Sequence, residues 1–261
     1  MEIKDNLCIT LAQVNLEWEN PEQNRMNLDL KIRELTGKSD LVILPETFTT
    51  GFSMRAPDLA EPMDGPTITW LLNLSRTTGI ALGGSLLIND NGLNYNRFVF
   101  VTPFGKIFHY DKRHLFSIGG ESISITAGHQ KLIVNYLGWR IALYICYDLR
   151  FPVWCRNVND TDLMIFTANW PASRNEVWKT LLKARAIENQ VYVAGVNRIG
   201  KDGNDISYIG ESQIINSRGE VLAETGLANE GFFSCEISKA ELNNFREKFP
   251  VANDADRFSI I

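Results

Sequence analysis

Cysteine and histidine are scarce, with four of the first and three of the second in 261 residues. Cys8, Cys146, Cys155 and Cys235 are too few and too scattered for a disulfide scaffold. Neither they nor His109, His114 and His129 show Cys-x-x-Cys or His-x-x-x-His spacing, so a structural zinc site has no visible ligand set and no metal is expected. No apolar run approaches the roughly 18–20 residues that cross a bilayer. The opening Met1-Glu2-Ile3-Lys4-Asp5 alternates charge instead of passing from a basic to an apolar stretch, so no signal peptide, no membrane partner and a cytoplasmic location are expected. Positive charge is not in excess either: 26 basic against 31 acidic side chains leave a net charge of −5, without a Lys/Arg block. A nucleic-acid partner is therefore not expected, and a small-molecule substrate is. Linkers, low-complexity stretches and repeats are lacking too, which predicts one domain over residues 1–261. With 44% hydrophobic residues, that domain has ample material for a core.

What is present reads as mixed α/β. Strands are predicted at 7–14, 40–46, 80–87, 95–102, 107–110, 132–136, 140–145, 163–167 and 192–197, with a hairpin at 212–224 turning on Asn216-Ser-Arg-Gly219. Helices are predicted at 22–36, where Met26, Leu28, Ile32 and Leu35 share a face, at 67–78, and at 174–189, where Val177, Leu181, Ala184 and Ile187 form an apolar stripe. Strands outnumber helices, as in a layered domain built on mixed sheets.

Chemistry concentrates at three predicted strand ends. The apolar run Arg140–Ile145 stops at Cys146 and continues as Tyr-Asp-Leu-Arg-Phe-Pro152, a strand-to-helix corner that would expose a thiol beside backbone N–H groups. The other reading of Cys146 is a small buried hydrophobe. No histidine stands out as its base, but Glu46 ends a buried-type strand in Leu44-Pro-Glu-Thr-Phe48, and Lys112 ends another in Tyr110-Asp-Lys-Arg-His-Leu-Phe116. Strand ends of open α/β sheets collect ligand sites, so the three could converge. If the chain after Cys146 is helical, Cys155 lies about 900° and about 13 Å further on, on the opposite face and out of reach as a disulfide partner.

These segments together resemble the nitrilase superfamily, carbon–nitrogen hydrolases that use a Glu-Lys-Cys triad. Leu-Pro-Glu46, Asp-Lys112-x-His-Leu-Phe and Ile-Cys146-Tyr-Asp-Leu-Arg-Phe-Pro match in order, as do Gly120-Glu-Ser122 before Ala127-Gly and Ala184-Arg-Ala-Ile-Glu-Asn-Gln190. The resemblance spans about residues 8–225 and implies a four-layer α-β-β-α sandwich that pairs as a homodimer, with no cofactor. It implies Glu46 as general base, Cys146 as nucleophile, and Lys112 with the backbone N–H of Tyr147 as oxyanion donors, while Glu121 holds Lys112. Glu188 reads as a fold-holding hydrogen-bond partner, and the remaining cysteines read as structural.

Thr167-Ala-Asn-Trp-Pro-Ala-Ser-Arg174, Trp178, Gly195-Val-Asn-Arg198 and Asp202-Gly-Asn204 through Tyr208-x-Gly210 are similar to the omega-amidase branch, which deaminates 2-oxoglutaramate and 2-oxosuccinamate. Arg174 then becomes the residue to hold the substrate carboxylate, with Phe116 and Trp170 as apolar walls. Val177 departs from the branch, which often carries a histidine before the second tryptophan. An N-carbamoyl amino acid or another short amide is the alternative substrate. A redox-sensing thiol and an inactive binding module are the readings from other classes. The aromatic tail from Phe232 onward, with Phe245, Phe249 and Phe258, is expected to reach a partner subunit.

Overall fold

The computed structural model describes residues 3–157, 160–256 and 258–260, so Met1 and Glu2 of the charge-alternating opening lie outside it. The strands are β1 (Asn6–Gln13), β2 (Leu41–Ile43), β3 (Ala81–Asp90), β4 (Leu93–Val101), β5 (Ile107–Asp111), β6 (Ile133–Tyr136), β7 (Trp139–Ile145), β8 (Leu163–Ala168), β9 (Tyr192–Asn197), β10 (Ile199–Lys201), β11 (Ser207–Ile209), β12 (Gln213–Ile215), β13 (Val221–Glu224) and β14 (Gly231–Ser238). The helices are α1 (Pro21–Arg33), α2 (Ala56–Leu59), α3 (Pro66–Thr78), α4 (Glu121–Ser124), α5 (Asn175–Asn189) and α6 (Lys239–Lys248). None is long and apolar enough to cross a membrane.

Two six-stranded mixed sheets form, in the orders β14-β1-β2-β3-β4-β5 and β13-β12-β9-β8-β7-β6. The parallel centres, β1-β2-β3 and β7-β8-β9, carry the near-continuous apolar runs that mark strands covered on both faces. Period-two alternation sorts those runs. Val42, Leu44, Leu82, Val99 and Val101 pack with Leu28 and Ile32 of α1 and Ile68, Leu71 and Leu74 of α3. Their neighbours Leu41, Ile43, Phe98 and Phe100 turn the other way, into a core shared with Tyr136, Trp139, Leu143 and Ile165 of the second sheet. Helix, sheet, sheet, helix is the order, a four-layer α-β-β-α sandwich with α5 against β9 and β12. Gly195 of β9 is needed there, because a Cβ would stand 2.5 Å from Leu182 Cδ1.

Two expectations change, and the tail is seen to begin on its own chain. The buried face of α5 is Trp178, Leu182, Arg185, Ala186 and Asn189, about one residue round from the expected stripe, and Ile187 is 50% exposed. The chain after Cys146 is a 3-10 turn over Cys146–Arg150 and not an α-helix, so the helical argument about Cys155 does not apply. Cys155 is buried and free, with its thiol 3.4 Å from Asp148 O. The tail folds back on its own chain: β14 pairs antiparallel with β1 along its whole length, and α6 follows. Arg246 and Lys239 of α6 reach the buried Asp162 carboxylate, which also holds Arg140.

Candidate active site

Each reactive side chain stands just beyond a strand that cannot move without disturbing the core. Three residues past β2, Glu46 enters a tight turn with Thr47 at φ 43°, and its side chain is fully buried. Lys112 follows β5 and is also fully buried. Its Nζ lies 2.8 Å from Glu46 Oε1 and 3.0 and 2.9 Å from the two oxygens of Glu121. Cys146 follows β7 with φ 44°, a left-handed backbone that costs a non-glycine residue about 1–3 kcal/mol and persists only when the surroundings impose it. Asp148 imposes it. That buried carboxylate accepts the N–H of Ile145 and the hydroxyl of Tyr110 on one oxygen, and the N–H and Nδ1 of His114 on the other. The corner bearing Cys146 is thereby tied to the segment bearing Lys112.

Electrostatics follow from burial. Desolvation pushes the Cys146 thiol well above its ordinary value, and the Glu46 charge pushes it further, against an opposing pull from Lys112. The cation that the sequence reading counted toward a thiolate thus works against burial and the Glu46 charge. Burial also works against the Lys112 cation, but Glu121 and Glu46 outweigh it and hold the ammonium charged. Glu121 is raised by burial, with Lys112 opposing and Glu46 adding. Its remaining oxygen capacity takes the Phe116 N–H at 2.6 Å.

Cys146 opens into a cavity of about 130 Å³, room for a small molecule and not for a polymer. Phe116, Tyr147, Trp170 and Arg174 line it, so the expected wall residues are brought together. Arg174 is the last residue before α5 and lies over the Phe116 ring at 5.2 Å. None of the histidines lines this cavity, and Glu188 pairs with Arg185 as a fold-holding residue.

Several contributors were given no role of their own in the sequence reading. Arg150, four residues past the cysteine, also lines the cavity, 5.2 Å over Trp170, and neither it nor Arg174 has a carboxylate partner among the described residues. Asn169 donates its N–H to Glu46 Oε2 at 2.8 Å and its side-chain amide to Glu46 O at 2.7 Å. Asn96 donates to Glu46 and Glu121 together. The β10-β11 ribbon supplies Asp202 and Tyr208 to the far wall, joined by a 2.8 Å hydrogen bond. Polar residues flanking apolar runs were the available signal for Arg150 and Asn169; for Asn96 none existed.

The carbon-nitrogen hydrolase family model matches residues 8–247. The chain belongs to the carbon-nitrogen hydrolase family. Among curated carbon-nitrogen hydrolases, it is 43% identical to Omega-amidase YafV of Escherichia coli K12, over 97% of this chain and 98% of that one. It is 33% identical to the 2-oxoglutaramate amidase of Bacillus subtilis 168, over 94% and 96%. Among solved structures, XC1258 of Xanthomonas campestris, a CN-hydrolase superfamily protein with an arsenic adduct in its active site, superposes with a TM-score of 0.96 at 44% identity, over 99% and 100%. Saccharomyces cerevisiae Nit3 shares the carbon-nitrogen hydrolase fold, with a TM-score of 0.85 at 24% identity.

Proposed function

We propose that this protein is an omega-amidase that hydrolyses the terminal amide of a short 2-oxo dicarboxylic monoamide such as 2-oxoglutaramate, releasing ammonia through a cysteine acyl-enzyme. The observation that carries it is the Cys146 thiol beside a buried carboxylate–ammonium pair, on a cavity whose walls hold two guanidiniums without acid partners among the described residues. Glu46 takes the Cys146 proton as the sulfur attacks the amide carbon. The oxyanion is met by Lys112 Nζ and the Tyr147 N–H. The tetrahedral intermediate collapses, the proton passes from Glu46 to the leaving nitrogen, and ammonia departs. Glu46 next deprotonates a water that attacks the thioester, and the second collapse returns the thiol and frees the diacid. Throughout, Glu121 anchors Lys112.

Specificity comes from charge. Arg174, with Arg150, holds the distal carboxylate, while Phe116 and Trp170 confine the carbon chain. The cavity's own carboxylate, Asp202, is spent on the N–H groups of Asn204 and Ile206 and on Tyr208, leaving little to greet a 2-ammonium group, which favours the 2-oxo acid over glutamine. The reading includes a single domain over residues 1–261, a cytoplasmic location and a homodimer.

The test is ammonia release from 2-oxoglutaramate by the wild type and by Cys146→Ala, with glutamine and an N-carbamoyl amino acid alongside. Turnover of the 2-oxo amide by the wild type alone is expected. Turnover of the carbamoyl compound alone would leave the triad standing and sink the substrate assignment; activity in Cys146→Ala would sink the triad.

A further inference from the structure

Asn96 lies within β4, next to Arg97, and is 1% exposed. Its one side-chain nitrogen sends a hydrogen to each catalytic-site carboxylate, 2.9 Å to Glu46 Oε1 and 3.1 Å to Glu121 Oε1. Its carbonyl receives the Lys112 N–H at 3.0 Å, so the same residue also fixes the backbone of the lysine between them. The side-chain orientation is settled by the partners, because the reverse would aim Oδ1 at two carboxylates. The amide oxygen left over is buried with no donor. An acceptor abandoned in the interior is costly. A fold that only needed to fill this space would use an apolar residue, so the two donated hydrogens are what the position retains.

Two carboxylates share a single ammonium in this site, and the thiol adds a third potential anion. The groups facing the pair are Lys112, Cys146, the Phe116 N–H, and the N–H and side-chain amide of Asn169, with the Tyr208 phenol beyond. Lys112 neutralises one charge of two, and Asn96 is a second donor that, like Lys112, reaches both carboxylates.

We infer that Asn96 is a positioning residue that keeps the Glu46–Glu121 pair ionised around Lys112, and so sets the lowest pH at which the amidase works. Both hydrogens of its side-chain amide are taken up by the two carboxylates, so it acts through them. The inference rests on the proposed role of Glu46 as base.

Removing the two donors disfavours the charged pair, so the acid limb of kcat/KM against pH moves upward. For Asn96→Ala a shift of about one pH unit is expected, with activity recovered toward the wild-type level on the alkaline side and KM little changed; at a fixed pH on the acid limb that is about a tenfold loss. Asn96→Ser keeps one hydroxyl donor and should shift in the same direction by less, and it stands in if Asn96→Ala does not fold. A rate lowered equally at every pH, or an unmoved profile in either folded variant, overturns the inference. Glu46→Gln is run in parallel: if it retains turnover, the base assignment falls instead, and the two failures are told apart.

Discussion

Replacing Asp148 by asparagine should cost stability out of proportion to a change of one atom. Its carboxylate takes four donors, two on each oxygen: Tyr110 at 2.7 Å, the Ile145 N–H at 3.1 Å, the His114 N–H at 3.0 Å and His114 Nδ1 at 2.8 Å. An amide keeps one accepting end and turns an NH2 toward two of those donors. Turned toward His114, whose Nδ1 can become an acceptor, the NH2 still leaves the His114 N–H unpaired; turned the other way it leaves both the Ile145 N–H and the Tyr110 hydroxyl unpaired, in a place where the side chain is fully buried. Each unpaired buried donor costs about 1–3 kcal/mol, so the loss amounts to about 1–6 kcal/mol. At about 2–4 °C per kcal/mol for a chain of this size, melting should fall by about 2–24 °C. Differential scanning calorimetry at one scan rate measures it, with circular dichroism at room temperature to show that the variant folds. A midpoint within about 2 °C of wild type would refute the reasoning, since it would mean that the hub is not holding the corner.

Arg174→Ala should raise KM for 2-oxoglutaramate by about 10- to 150-fold, the equivalent of about 1.5–3 kcal/mol for a charge-assisted contact, with kcat changed less. A short amide without a carboxylate should be turned over equally by both proteins; steady-state kinetics on the two substrates decides. Gly84→Ala places a Cβ 2.8 Å from Leu44 Cβ and 2.9 Å from Phe48 Cδ1. The overpacking should cost about 1–3 kcal/mol and displace the turn that carries Glu46, lowering kcat more than it raises KM. Burial alone would raise Asp162, but Arg140 and Lys239 outweigh it and hold the folded-state value near about 2, below its ordinary 3.8. The stability this contributes is present above that ordinary value and is lost as pH falls toward about 2. Urea midpoints at acid and neutral pH should therefore converge for Asp162→Asn and differ more for the wild type.

The reactive core was legible because each member ends an apolar strand where a charged or nucleophilic residue is conspicuous: Glu46 after Pro45, Lys112 after Asp111, Cys146 after Ile145. Phe116, Trp170 and Arg174 were legible through the motif around them. Asn96 was not, since a polar residue in Tyr95-Asn-Arg97 fits any half-exposed strand, and its carboxylate partner lies 50 positions away. The α5 face was misjudged because two apolar stripes run along that helix. The one that wins buries Arg185, whose guanidinium reaches Leu149 O at 2.6 Å, an interaction periodicity cannot see. The return of β14 beside β1, joined by a contact 230 residues apart in the chain, left no local trace in the sequence either.

The site is divided between the two sheets. Glu46, Asn96 and Lys112 are carried by the first sheet; Cys146 and Asn169 by the second. On the roles proposed above, the proton that leaves the sulfur crosses the seam between the layers, so the reaction depends on how the two sheets stack and not on either sheet alone.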